Sequence, residues 1–297
     1  MTETATGRLN DATGQATVRE LPGAHEVFDR AAGENFSVAS LAVGRANRRH
    51  LTAIYGFARL VDQIGDAAAG DRSALLDVFE GDLDRLYAGT GPEHPVLRRL
   101  EPTVRELSLP RGPFQRLIEA NRRDQLQASY PTFDELVGYC ELSANPVGEL
   151  VLHVFGSATP DRIALSDKVC TALQLAEHWQ DVAEDQAAGR VYLPAEDMAR
   201  FGVTNGQLAA AETSPRLRAL MSFQVTRGKE LLDEGAPLVG LLRGRARLAV
   251  AGYVGGGKAA FAAIAAADYG VLESSPKATR VARARATLTT YLTRGNR

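Results

Sequence analysis

The 297-residue chain is 45% apolar and 24% charged, with a formal net charge of −2. That balance suits a globular protein with a sizeable core and gives no whole-molecule field attracting nucleic acid. Cys140 and Cys170 are its only cysteines. They form no C-x-x-C pair, which argues against a zinc site or a disulfide framework and fits a reducing cytoplasm.

Residues 1–20 are polar and lack the positive-then-apolar layout of a signal peptide, so a disordered tail is predicted there. Residues 21–297 read as one helical domain, since alanine is abundant and aromatic residues are only 6%. No stretch reaches the roughly 18 uninterrupted apolar residues of a membrane span. Leu248 to Leu272 is the nearest, and Lys258 and Asp268 interrupt it. Peripheral contact with a membrane surface is left open.

A short helix is predicted before Gly33. From Arg45 to Ala67 a longer helix is expected, with Tyr55, Arg59, Asp62 and Asp66 spaced four, three and four apart. They share a strip within about 60° of the helix circumference, while Ile54, Phe57, Leu60 and Val61 supply its apolar side. Gly70 to Ser73 ends it. Leu75, Leu76, Phe79, Leu83 and Leu86 mark the next helix, with Asp77, Asp82 and Asp84 assigned to its wet face. His94-Pro95 and Leu109-Pro110 punctuate two further helices, the second over Pro113 to Ala128.

Thr132-Phe-Asp-Glu135 is a capping box opening the helix that carries Tyr139. Asn145-Pro146 breaks that run, because proline lacks the amide donor and clashes with the preceding turn. Asp161 to Ala187 is read as a single helix. Gln174, Glu177, Asp181 and Asp185 fall on one face of it, within about 80° of arc. Pro194 to Gly206 reads as loop, with Thr204 to Gln207 capping the next helix. Helices over Pro215 to Glu234 and Leu238 to about Asp268 complete an all-α chain without alternating strands, repeats or linkers.

Carboxylates one turn apart repel by a few tenths of a kcal/mol, and a divalent cation offsets that. Mg²⁺ takes oxygen ligands in octahedral geometry and is held by one or two carboxylates plus substrate phosphates. D-x-x-x-D is also common on solvated faces, but here it occurs twice with polar companions. Asp62, Asp66, Asp181 and Asp185 are therefore the expected metal ligands. Gly252 to Ala259 comes within one residue of a P-loop but has Ala259 where Ser or Thr would hold the metal. Small residues that let two helices approach account for it better. None of the five histidines forms H-E-x-x-H, and His178 reads as a hydrogen-bonding spacer beside the acidic face. Arg283, Arg285 and Arg294 read as a solvated helix end.

Together, Tyr55-x-x-x-Arg59-x-x-Asp62-x-x-x-Asp66, Tyr139-Cys140 with Val147-Gly148, and Gln174 to Asp185 followed by Gly189-Arg190-x-Tyr192-Leu-Pro194 resemble the squalene/phytoene synthases. The likeness runs from about residue 25 to 275. It implies the all-α isoprenoid (terpenoid) synthase fold, a single helical domain around a central cavity with two aspartate-rich helices at its mouth. Within the family, Glu34 to Ser40, Ser143 to Gly148 and Trp179-Gln180-Asp181 look most similar to bacterial hydroxysqualene synthases of hopanoid biosynthesis. Those enzymes ionise presqualene diphosphate and let water capture the cation. The chain departs from the family pattern at four places. Gly33 and Asn35 precede Phe36, Gln63 replaces an aspartate, Gln180 stands where condensing relatives often have Arg, and Glu177 where they often have Asn.

The resemblance implies a prenyl diphosphate substrate, presqualene or farnesyl diphosphate, with Mg²⁺ as cofactor. NADPH is not expected. Arg59 and Arg190 are suited to donate to phosphate oxygens. Tyr55, Tyr139, Tyr192 and Tyr253 would donate to diphosphate or hold the chain. Asn145, Gln174 and Glu177 are candidates for directing water, and Asn35, Phe36 and Gln180 for further substrate contacts. A condensing squalene or phytoene synthase is the alternative, and a non-catalytic prenyl-lipid-binding protein the alternative of another class. A cytoplasmic location is expected; association with pathway enzymes is left open.

Overall fold

In the computed structural model, residues 16–23 and 37–293 are described, the side chains of 37–42 excepted. Asn35, Phe36, Arg294 and the short helix expected before Gly33 lie outside them. Val18–Glu20 forms one 3₁₀ turn, so the expected tail is not featureless at its end. Two compact units emerge, one from residues 1–34 and 52–111, the other from 35–51 and 112–297.

The first long helix, α1 (Ser37–Ala67), is kinked at Gly44, whose φ of 75° a residue with a side chain adopts only under strain. Its straight part begins at Arg45, as the periodicity predicts. Unit one contains the end of α1, then α2 (Arg72–Ala88) and α3 (Pro95–Leu107). Phe57 meets Phe79 with ring centroids 5.3 Å apart. All five apolar residues of the α2 stripe are buried. Arg72 closes the end of α1, donating to the carbonyls of Gly65 and Ala68.

Asp82 corrects its assignment to the wet face, since it is only 2% exposed. Its two carboxylate oxygens accept the amides of Glu93 at 2.6 Å and His94 at 2.7 Å. The charge is thereby matched to donors just ahead of α3, where the amides at a helix start favour an anion.

Unit two runs through α4 (Gly112–Asp124), α5 (Phe133–Ser143), α6 (Asn145–Val154), α7 (Pro160–Gln180), α8 (Val182–Ala187), α9 (Ala195–Phe201), α10 (Asn205–Leu208), α11 (Pro215–Gly235), α12 (Leu238–Leu241), α13 (Gly244–Ala266) and α14 (Arg280–Thr293). Among the described residues no strand occurs, only one isolated bridge between Ser129 and Val191. The amide of Glu135 donates to Thr132 Oγ1 at 3.2 Å, completing the N-cap of α5. The Asn145-Pro146 break separates α5 from α6. Three boundaries differ from expectation. The helix expected over Leu238 to about Asp268 divides where Leu242 and Arg243 are extended, giving α12 and α13. Pro194 to Gly206 contains α9, and the helix expected over Asp161 to Ala187 divides at Asp181 into α7 and α8.

Helix α7 is the axis of unit two. Val169, Ala172, Leu175, Ala176 and Trp179 are all buried, and α6, α11 and α13 pack against it. A Cβ at Gly228 of α11 would lie 2.7 Å from the Trp179 ring and 2.6 Å from Phe261. The absence of a side chain there lets α11, α7 and α13 close on one another. Helix α13 is the one described helix long and apolar enough to cross a membrane, and half of that stretch is buried inside the protein.

On the same helix as Trp179, Asp167 has Oδ1 buried without a hydrogen-bond partner. Desolvation raises its carboxyl to about 6, Arg116 opposing and Glu149 and Glu141 adding to the rise. A folded value above the ordinary 3.8 means that the folded state holds the proton more tightly. Stability therefore falls as pH rises from about 4 to 6. Asp167→Asn is expected to flatten that slope and to stabilise the protein at neutral pH by about 1 kcal/mol, partial solvation keeping the gain below the full shift. Urea melts across that pH range would show it, and an unchanged slope would remove Asp167 as its source.

Candidate active site

Helix α7 opens with Thr159 accepting from the amide of Arg162 and with Pro160 in its first turn. Its apolar side is committed to the core, which leaves Gln174 and Glu177 on the other side as the helix approaches Asp181. There the backbone leaves helical geometry, with φ −108° and ψ 23°. The Asp181 amide still reaches Glu177 O at 3.0 Å, and the Asp185 amide reaches Asp181 O at 2.9 Å. The acidic ladder is thus bent at its middle carboxylate rather than laid along one straight helix.

Asp181 Oδ1 accepts from Ser275 Oγ at 2.6 Å and lies 3.7 Å from Lys277 Nζ. Its neighbour Gln180 donates from Nε2 to the Pro276 carbonyl at 2.5 Å. Desolvation, and then the charges of Asp181 and Asp185, raise the Glu177 carboxyl above its ordinary range against the pull of His178 and Lys277. Asp185 Oδ2 is buried with no hydrogen-bond partner and lies 3.7 Å from His178 Nδ1.

After α8 the chain turns at Gly189, with φ 79°, and Arg190, Tyr192, Leu193 and Pro194 follow. The Arg190 amide donates to Asp185 O at 2.8 Å and the Val191 amide to Ala128 O at 2.8 Å. Those bonds bring Tyr192 over His178, the rings stacked at 3.7 Å and 12°. Tyr139 and Tyr130 complete an aromatic cluster, each with its centroid 5.8 Å from that of Tyr192. Tyr139 donates its hydroxyl to Asp124 Oδ2 at 2.7 Å. Burial holds the Tyr139 and Tyr130 phenols well above their ordinary value and pushes Tyr192 up to about 12, so all three stay neutral donors at neutral pH. A small cavity touches His178, Val182, Asp185, Arg190, Tyr192 and Leu208.

His178 is buried and lies 3.1 Å through Nε2 from Gln174 Nε2. With the amide donating, a neutral ring carries its proton on Nδ1, toward Asp185. That is the spacer role expected of it. Asn145 is buried and accepts from Thr171 Oγ1 at 3.0 Å. Tyr253 on α13 has its phenol pushed up to about 12 by burial. Within unit one, Asp62 and Asp66 are exposed on α1, and Tyr55 and Arg59 are half-buried on the same strip. Asp124, Ser275 and Lys277 were not among the sequence candidates. Asp124 is identified by the Tyr139 hydroxyl, and the other two by contacts spanning more than 90 residues.

The donor set suits Mg²⁺. Asp181 and Asp185 offer hard carboxylate oxygens on adjacent turns, and the orphaned Asp185 Oδ2 lacks the partner a cation would supply. Among the described residues no three His, Cys, Asp or Glu side chains gather into a closed cage. A Mg²⁺ held by few carboxylates and completed by phosphate and water needs none.

An all-α isoprenoid synthase fold with an acidic, tyrosine-rich site is therefore present. Residues 29–288 match the model of the squalene/phytoene synthase family. The chain belongs to that family, whose members are prenyl-transferring synthases acting on prenyl diphosphates, and it is an enzyme of that class. It is 33% identical over 209 residues to a hydroxysqualene synthase of Rhodopseudomonas palustris, covering 69% of this chain and 70% of the relative. It is equally 33% identical over 215 residues to the 15-cis-phytoene synthase of Synechococcus elongatus, covering 68% and 70%. The crystal structure of squalene synthase HpnC from Alicyclobacillus acidocaldarius superposes with TM-score 0.78 at 43% identity, over 83% of this chain and 93% of that one.

Proposed function

We propose that the protein is a hydroxysqualene synthase, converting presqualene diphosphate and water to hydroxysqualene and diphosphate. The charge around the second acidic segment carries this reading. Gln180 is a neutral amide with one of its two N–H donors held by the Pro276 carbonyl, and Glu177 beside it is acidic. A condensing enzyme must hold two diphosphates, and a site with few cations suits one leaving group better. The 33% identity to the hydroxysqualene synthase of Rhodopseudomonas palustris supports the same assignment.

Asp181 and Asp185 would hold Mg²⁺ here, and Asp62 and Asp66 on α1 would each offer it a carboxylate as well. When bound, the metal supplies the Lewis acidity that takes up charge on the departing diphosphate. Arg190 donates to phosphate oxygens. Tyr139 and Tyr192, kept neutral by burial, line the site with ring faces that attract a carbocation by roughly 0.5–2 kcal/mol each, the Tyr139 hydroxyl being held by Asp124. Water adds to the carbocation and loses its proton to give the alcohol. Gln174 and Asn145 are suited to orient that water through their amides.

The condensing alternative rests on the equal 33% identity to the Synechococcus elongatus phytoene synthase. Incubation with Mg²⁺ and either presqualene or farnesyl diphosphate, with and without NADPH, tests the two readings. Hydroxysqualene from presqualene diphosphate without NADPH is expected. Squalene or phytoene as the main product would replace this assignment with the condensing one. Tight binding without turnover would show a silent prenyl-lipid-binding protein.

A further inference from the structure

Helix α14 carries its apolar residues on the wrong side for a helix of a water-facing protein. Val281, Leu288 and Leu292 are 78%, 59% and 58% exposed and fall within about 40° of helix circumference. The opposite face is built from small residues. Ala286 and Thr287 lie against Gly255 of α13, and Thr290 is 2% exposed. A solvent-covered helix normally does the reverse, burying its leucines and showing its small and polar residues.

The charge of this segment is as one-sided as its hydropathy. From Lys277 to Arg297 the sequence carries six cationic residues and no acidic one, in a chain whose net charge is −2. On α14 itself Arg280 and Arg285 are exposed, Arg285 next to the apolar stripe, while Arg283 is half-buried. Docking of a second copy through this face would bring like charges together. A lipid surface with anionic headgroups accepts both features at once, leucines into the acyl boundary and arginines onto phosphate.

We propose that the outward face of α14 is a membrane-docking surface for anionic lipid, seated through Val281, Leu288 and Leu292 and held by Arg280 and Arg285. The proposal concerns where the protein sits and holds for any product it makes.

Co-sedimentation of the full-length protein tests this, using vesicles of equal parts phosphatidylglycerol and phosphatidylcholine beside vesicles of phosphatidylcholine alone. Binding to the anionic vesicles only, weakened by salt, is expected. Arg280→Gln with Arg285→Gln should lower partitioning roughly 25-fold, about fivefold for each charge. Leu288→Ser with Leu292→Ser should abolish sedimentation while the far-UV circular dichroism and melting temperature stay unchanged, since neither side chain is in the core. No sedimentation by the wild-type protein, equal binding to neutral vesicles, or full binding by the folded leucine variant would each overturn the proposal. A concentration-dependent dimer in light scattering that the leucine variant loses would assign the face to a second copy instead.

Discussion

Asp181→Asn is expected to lose turnover by about a thousandfold while folding as well as the wild type. The substitution is isosteric, and the Asn Oδ1 can still accept from Ser275 Oγ, which now bonds Asp181 Oδ1 at 2.6 Å. It removes a negative charge from a segment where Glu177, Asp181 and Asp185 repel one another, so the fold gains slightly or is unchanged. The pairing with Lys277 at 3.7 Å is half-exposed and contributes little to stability. Activity and stability should therefore part company, as they do where crowded charge is kept for function. Diphosphate release measured against Mg²⁺ concentration, with circular dichroism as the control, gives the result. Near-normal release from this variant would remove Asp181 as a metal ligand, and Asp62→Asn applies the same test to α1.

Features set by local periodicity and capping were legible in the sequence. Thr132 caps α5 through a bond to the residue three positions on, and Thr204 with Gln207 forms the box at α10. Two misreadings were also local and therefore avoidable. Asp82 lies three residues after Phe79 and four before Leu86, inside the apolar stripe, so the spacing already placed it on the buried face. Helix α9 has acids in its first turn and Gly202 in left-handed geometry at its end, a full set of helix signals within the segment read as loop. The bend at Asp181 is a different case. No proline or glycine marks it, and the groups tied to Gln180 and Asp181 there belong to Ser275 and Pro276, 94 and 96 residues away. Tyr139 was legible as a candidate, but its partner Asp124, on the preceding helix, was not. Contacts across such separations arise from packing, which no single periodic pattern encodes.

Gly255→Ala and Gly256→Ala, one residue apart in the glycine run of α13, are expected to change stability in opposite directions. A Cβ at Gly255 would lie 2.5 Å from the Thr287 nitrogen, 2.6 Å from its Cα and 2.9 Å from the Ala286 carbonyl carbon. Those are backbone atoms of α14 and cannot rotate aside, so the two helices must separate along their contact. The cost is about 2–3 kcal/mol, as for other overpacked interfaces, or a melting temperature lower by about 5 °C. At Gly256 nothing lies within 4 Å of the added atom. There alanine only removes backbone freedom from the unfolded chain and improves helix propensity, stabilising by about 0.5–1 kcal/mol. Paired thermal melts decide it. A run that cradled phosphate would need an open loop with free amides, whereas all three glycines here lie inside a continuous helix. If Gly255→Ala melted at or above the wild-type temperature, the close approach of α13 and α14 would not be the reason for this glycine, and the small-residue face of α14 would lose its structural explanation.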